Sequence, residues 1–131
     1  MALVYLDSSI VIYLVERHPL YAAPIERALA GSSALPATSP LTRLEVLVKP
    51  LQEDRRDLVD LYSRFLSATR LLPIDRETFE RALHLRVDFR LRTADALHLA
   101  VAHQSGCEAF WTNDNRLAAA AGGLNVNILT E

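Results

Sequence analysis

Apolar residues along the chain alternate between runs that read as strand and stretches with helical spacing. "LVYL" at residues 3 to 6 is a short buried strand, and Ser8 or Ser9 after it is expected to cap a helix running to about Glu16. "LYAAPIERALA" forms a second helix, regular from about Pro24 and closed by Gly31, and "SALPATS" reads as a short strand. "SPLTRLEVLVKPL" predicts a helix with Ser39 as cap, Pro40 in the first turn and Leu44, Leu47, Val48 and Leu51 as its stripe, bent or ended by Pro50. The next helix, Glu53 to Ala68, has Leu58, Leu61, Tyr62, Phe65 and Leu66 on one side. After the strand "RLLPID", "RETFERALHLRVDFR" predicts an amphipathic helix with Phe79, Leu83, Val87 and Leu91 inward.

"TADALHLAVAHQSG" differs from these, because its middle is apolar on nearly every side, the mark of a buried helix. "EAFWTN" is a strand, "DNRLAAAAGG" a short helix ended by glycine, and "VNIL" the last strand. Strands separated by one or two helices predict an α/β fold: a central parallel β-sheet flanked by α-helices on both faces. No linker, repeat or low-complexity tract divides the chain, so residues 1–131 are read as one domain.

Composition narrows the picture only a little. Half of the residues are apolar and 23% are charged, as in ordinary globular domains. Cys107 is the single cysteine, which rules out an internal disulfide and suits a reducing cytoplasm. No leader pattern opens the chain, and no apolar run approaches the ~18–20 residues of a membrane span. The net charge of −2 argues against a general electrostatic grip on nucleic acid, although Lys49 is the only lysine among 14 basic residues. Arg86, Arg90 and Arg92 lie close in sequence, and their planar forks match phosphate oxygens, although such a group on a helix is more often just a solvated face.

Four acids change the picture more. Ligands of open α/β sheets gather at the carboxyl ends of the strands, where Asp7 follows the first strand and Asp114 follows "EAFWTN". Glu45 interrupts "LTRLEVLV", and Asp95 opens the apolar helix; with Thr93 as cap it lies in the first turn, where free N–H groups favour an anion. Each acid alone is explained as a turn, cap or helix-border residue. Converging at one edge, however, four carboxylates repel one another unless a cation lies among them. Oxygen ligands without a His or Cys set suit Mg²⁺, or Mn²⁺, rather than Zn²⁺.

"VYLDSSIVIYLVE", "SPLTRLEVLV", "LRTADALHLAVA" and "FWTNDNRL" together resemble, in order and rough spacing, the PIN-domain family, and most of all its VapC-type toxins. The resemblance spans essentially the whole chain. It implies a metal-dependent ribonuclease with a PIN-like fold, usually a homodimer, held inactive by a cognate VapB-like antitoxin. By matching position, Asp7, Glu45, Asp95 and Asp114 become the catalytic and metal-binding acids, and Ser9 and Thr112 the hydroxyls that orient them. Arg90 and Arg92 are the candidates for RNA contact. Leu117 departs from the aromatic residue that members often carry three positions after the fourth acid, and Asn115 replaces a carboxylate found in some.

Other residues read more plainly. His98 is expected to be a satisfied structural histidine rather than a general base, Trp111 a core or interface residue, and Cys107 inert. A receiver domain would need an acidic pair after the first strand and a lysine after a late one. A haloacid-dehalogenase-like phosphatase would need D-x-D at Asp7, and a dinucleotide-binding unit would need glycines there. The remaining alternative shares the fold: a non-toxin PIN protein that processes or binds RNA.

Overall fold

A computed structural model describes residues 2–126. Its elements run β1 (Leu3–Leu6), α1 (Ser8–Val15), α2 (Ala22–Ala30), β2 (Leu35–Thr38), α3 (Pro40–Gln52), α4 (Arg56–Ser67) and β3 (Arg70–Leu71). They continue with α5 (Arg76–Phe89), α6 (Thr93–Gln104), β4 (Ala109–Trp111), α7 (Asn115–Ala120) and β5 (Asn125–Val126). The expected strand "VNIL" is described only as far as Val126, and its remainder lies outside the described residues.

The sheet has the order β3-β2-β1-β4-β5 and every pairing is parallel. All four residues of the central strand β1 are buried, because helices cover both of its faces. Its side chains alternate between two cores. Leu3 and Tyr5 pack with Leu97, Leu99, Val101 and Phe110, whereas Val4 and Leu6 pack with Ile10, Ile25, Leu47 and Tyr62. The chain builds outward from β1 through β2 to β3, then returns to the other side of β1 for β4 and β5. This reversal makes the carboxyl ends of β1 and β4 the topological switch point, where such sheets open a crevice.

Helix α6 meets its expectation: Ala96 to Ala102 are all buried. Trp111 is buried in the core, and burial pushes the Cys107 thiol up to about 11, which keeps it protonated and unreactive.

Several helix faces differ from the sequence reading. In α5, Phe79, Leu83 and Val87 are 56%, 53% and 69% exposed. The inward strip is instead Thr78, Ala82 and, in part, Leu85, with Leu91 buried just beyond the helix. The two strips share one period but are rotated by about 100°, the angle between successive residues. Periodicity reported the helix but not its orientation, and α5 turns its small residues toward α6. Likewise Leu44, Val48 and Leu51 of α3 and Leu61 of α4 are exposed, while Val46, Leu47 and Tyr62 are buried.

The ends of the helices also bring corrections. Asp7, not Ser8 or Ser9, is the N-cap of α1. Arg92, not Thr93, occupies the cap position of α6, so Thr93 starts the helix and Asp95 remains in its first turn. Ser39 and Pro40 hold their expected places, but α3 continues past Pro50 to Gln52. The strand expected over "RLLPID" is only Arg70–Leu71, a short edge strand of the kind that limits pairing with other chains.

Candidate active site

Each acid reaches the carboxyl edge through a local structural reason. Asp7 follows β1, and its backbone N–H still donates to the Trp111 carbonyl at 3.1 Å. Its extended backbone lets Oδ1 accept from the Ile10 N–H at 3.1 Å and from Ser9 Oγ at 2.6 Å. Asp7 is only 7% exposed. Burial pushes its carboxyl above the ordinary aspartate value, against the opposing hydrogen bonds from Ser9, Thr112 and the Ile10 N–H.

Glu45 projects from α3, whose start is fixed by Ser39 and Pro40, with the Ser39 N–H donating to Thr42 Oγ1 at 3.3 Å. Its Oε1 accepts from Ser8 Oγ at 2.6 Å and lies 2.5 Å from His98 Nε2. Burial by itself would raise this carboxyl. The hydrogen bonds from His98 and Ser8, with the positive charge of Arg92, outweigh burial and hold it below the ordinary glutamate value.

Asp95 is placed by a tight turn: Arg90 adopts the left-handed conformation at φ 55°, ending α5 and allowing α6 to start almost at once. Arg92 Nε donates to Asp95 Oδ2 at 3.1 Å. Asp114 caps α7, with Oδ1 accepting from the Arg116 and Leu117 N–H groups at 2.9 and 3.4 Å. Thr112, fully buried, hydrogen-bonds Asp7 and accepts the Asp114 N–H at 3.0 Å, so one hydroxyl ties the two strand ends together.

All four acids line a single cleft of about 280 Å³, with Ser8, Ser9, Arg92, His98 and Asn113. Arg90 lines a small neighbouring recess that shares Arg92, Asp95 and Asp114 with the cleft. Two roomier clefts, about 410 Å³ at the α3–α4 turn and about 440 Å³ beside β3, contain none of these acids. Among the described residues, no three acidic, histidine or cysteine side chains stand close enough together to hold a metal ion. Every carboxylate is engaged by a donor of its own, and like charges gain nothing by closer approach.

Three members of this cleft lay outside the site residues nominated from the sequence. Ser8 is expected only as a cap, yet it donates to Glu45. His98 is buried and satisfied as expected, but its partner is a cleft acid; its position three residues after Asp95 on one helix face was the available signal. Asn113, whose amide donates to the Tyr13 hydroxyl, carried none beyond its adjacency to Asp114.

The family model described as "PIN domain" matches residues 4–123. Ribonuclease VapC46 of Mycobacterium tuberculosis is 33% identical over 131 residues, covering 98% of each chain. Among solved structures, a toxin-antitoxin complex from Klebsiella pneumoniae superimposes with a TM-score of 0.78 at 23% identity, over 95% of this chain and 97% of that one. Mycobacterium tuberculosis VapC20, titled a sarcin-ricin loop cleaving toxin, does so with a TM-score of 0.74 at 20% identity, over 94% and 98%.

Proposed function

Because the chain belongs to the PIN-domain family, we propose that it is a VapC-type endoribonuclease toxin that hydrolyses RNA with a divalent metal and is neutralised by a VapB-like antitoxin. One observation supports this above the rest: Asp7, Glu45, Asp95 and Asp114, far apart in sequence, line one cleft at the switch point of the sheet. The relative's name, ribonuclease, supports the reaction class.

In its chemistry, though not in the spacing of its side chains, the donor set fits a hard cation. All four groups are carboxylates, and Mg²⁺ or Mn²⁺ prefers such oxygens. Asp7, Asp95, Glu45 and Asp114 would hold the ion. When bound, a divalent ion polarises a phosphoryl oxygen and lowers the pKa of water, the two services phosphodiester hydrolysis needs.

The chain's own residues prepare the cleft. Ser9 and the Ile10 N–H address Oδ1 of Asp7, and Thr112 steadies the same carboxyl. Ser8 does the equivalent for Glu45. Arg92, at the cleft wall beside Asp95, offers a guanidinium to a non-bridging phosphate oxygen, and Arg90 extends that basic rim. RNA presented as a single strand or loop suits so open a cleft, since a paired A-form helix hides its base edges. In this reading the toxin acts as a homodimer in the cytoplasm, where its RNA is. Among the described residues no helix is long and apolar enough to cross a membrane.

The test is RNA cleavage by purified protein in Mg²⁺, with EDTA and with Asp7→Asn and Asp95→Asn as controls. Loss of cleavage in all three is expected; cleavage undiminished by the substitutions refutes the site. Growth arrest on expressing the chain, relieved by an adjacent gene product, separates a toxin from a housekeeping nuclease. Normal growth with confirmed expression would leave an RNA-processing role.

A further inference from the structure

His98 lies one turn beyond Asp95 on α6 and is 2% exposed. Both ring nitrogens are engaged. Nε2 lies 2.5 Å from Glu45 Oε1 and 3.3 Å from Ser8 Oγ, and Nδ1 lies 2.6 Å from the Tyr5 hydroxyl. An ionised carboxylate only accepts, so Nε2 must bear a proton and donate to Glu45. In the neutral ring this leaves Nδ1 as an acceptor. Tyr5 supplies the matching proton, since burial pushes its phenol far up and keeps it un-ionised.

The Tyr5 oxygen in turn accepts from Ser39 Oγ at 2.9 Å, with Thr42 Oγ1 at 3.5 Å. The bonds thus run in one direction, from Ser39 through Tyr5 and His98 to Glu45. Ser39 is the cap of α3 and Glu45 projects from the same helix, so both ends of the run lie on one rigid element. Tyr5 is itself closely packed: it is fully buried on the central strand and stacks on Phe110 with ring centres 5.6 Å apart and planes 3° from parallel.

We propose that His98 is a positioning residue of the nuclease centre, fixing Oε1 of Glu45 by donating from Nε2, while Tyr5 holds the ring in the tautomer able to donate. His98 and Ser8 both address Oε1, which leaves Oε2 as the oxygen available to a cation. Without this donor only Ser8 still addresses Oε1, and Glu45 is held less firmly. The inference rests on the metal-dependent reading of the acid cleft.

Two substitutions separate positioning from simple packing. His98→Asn keeps a polar group where Nδ1 meets Tyr5 but loses the reach to Glu45; His98→Gln places its amide near Nε2 and retains the donor. Mn²⁺ alone, titrated calorimetrically into full-length protein, is expected to bind roughly 10- to 100-fold more weakly to His98→Asn and close to normally to His98→Gln. Both variants should melt lower than wild type, since packing is lost in each. Against RNA, His98→Asn should lose kcat with little change in KM. Should it fail to fold, ¹⁵N spectra of the wild-type imidazole decide the matter: a protonated Nε2 supports the proposal and an unprotonated Nε2 overturns it. Equal Mn²⁺ affinity in wild type and His98→Asn overturns the positioning role alone. A wild type that takes up no Mn²⁺ overturns this role together with the metal-dependent reading.

Discussion

Asp7 performs two tasks with opposite energetic signs, and two substitutions pull them apart. As N-cap it accepts the Ile10 N–H, a contribution of about 1 kcal/mol in comparable helices. As a buried carboxylate it is unfavourable to the fold, because burial raises its pKa above the ordinary 3.8 despite the hydrogen bonds it receives. Asp7→Asn keeps an acceptor oxygen for Ile10 and Ser9, offers its amide to Thr112 and removes the charge. Asp7→Ala loses charge and cap together. Asp7→Asn is therefore expected to be more stable than wild type by about 0.5–2 kcal/mol, and Asp7→Ala to lie about 1 kcal/mol below Asp7→Asn.

For a domain of this size each kcal/mol moves the melting temperature by about 3–5 °C, well within reach of thermal unfolding followed by circular dichroism. EDTA must be present, since a bound ion would stabilise wild type selectively. The pH dependence follows from the direction of the shift. An acid with a raised native pKa loses stability as pH climbs from 3.8 through the native value, because the folded state holds the proton more tightly. The advantage of Asp7→Asn is therefore full above the native pKa and closes as pH falls toward 3.8. An Asp7→Asn protein that melts below wild type at neutral pH, in EDTA, would refute the claim that this carboxylate strains the fold. Equal melting of Asp7→Asn and Asp7→Ala would refute the capping contribution.

Other expectations follow from particular positions. Leu99→Ala, at a fully buried site in the core beneath α6, should cost about 3 kcal/mol and lower the melting temperature by about 10 °C; a change under a third of that would mean that the core collapses around the void. Gly106 follows α6 at φ +68°, where the Gly106 N–H donates to the His103 carbonyl and the Cys107 N–H to that of Ala102. Gly106→Ala should therefore cost about 1–2 kcal/mol through backbone strain alone, as its new methyl meets no atom within 4 Å. Val87→Lys on the exposed face of α5 should alter the stability of the isolated chain by less than about 0.5 kcal/mol in urea unfolding. A loss of several kcal/mol there would restore the inward orientation that the sequence suggested.

Features local in the chain were legible from residue order. The buried β1, the nearly all-buried α6, the Ser39–Pro40 start of α3 and the parallel α/β class each follow from a run of neighbours whose chemistry suffices to define them. The acids could be nominated in the same way, since a carboxylate that ends an apolar run stands out. Asp7 as cap in place of Ser8 or Ser9 was a choice among adjacent residues, and it was decided by the extended backbone at the strand end, at φ −71° and ψ 171°.

What the sequence by itself determined was therefore the set of elements, their type and the identity of the unusual polar residues. Tertiary structure alone decided which way each helix faces, because a 3.6-residue period is unchanged by rotation about its own axis. Only packing against α6 selects Thr78 and Ala82 over Phe79 and Leu83 in α5. It likewise decided the partners of the acids. Glu45 and His98 are 53 residues apart, and nothing in either neighbourhood announces the other. They meet because α3 and α6 cover opposite faces of a sheet whose central strand, with the helix start that follows it, brings Tyr5 and Ser8 between them, and a hydrogen bond depends on distance in space rather than along the chain.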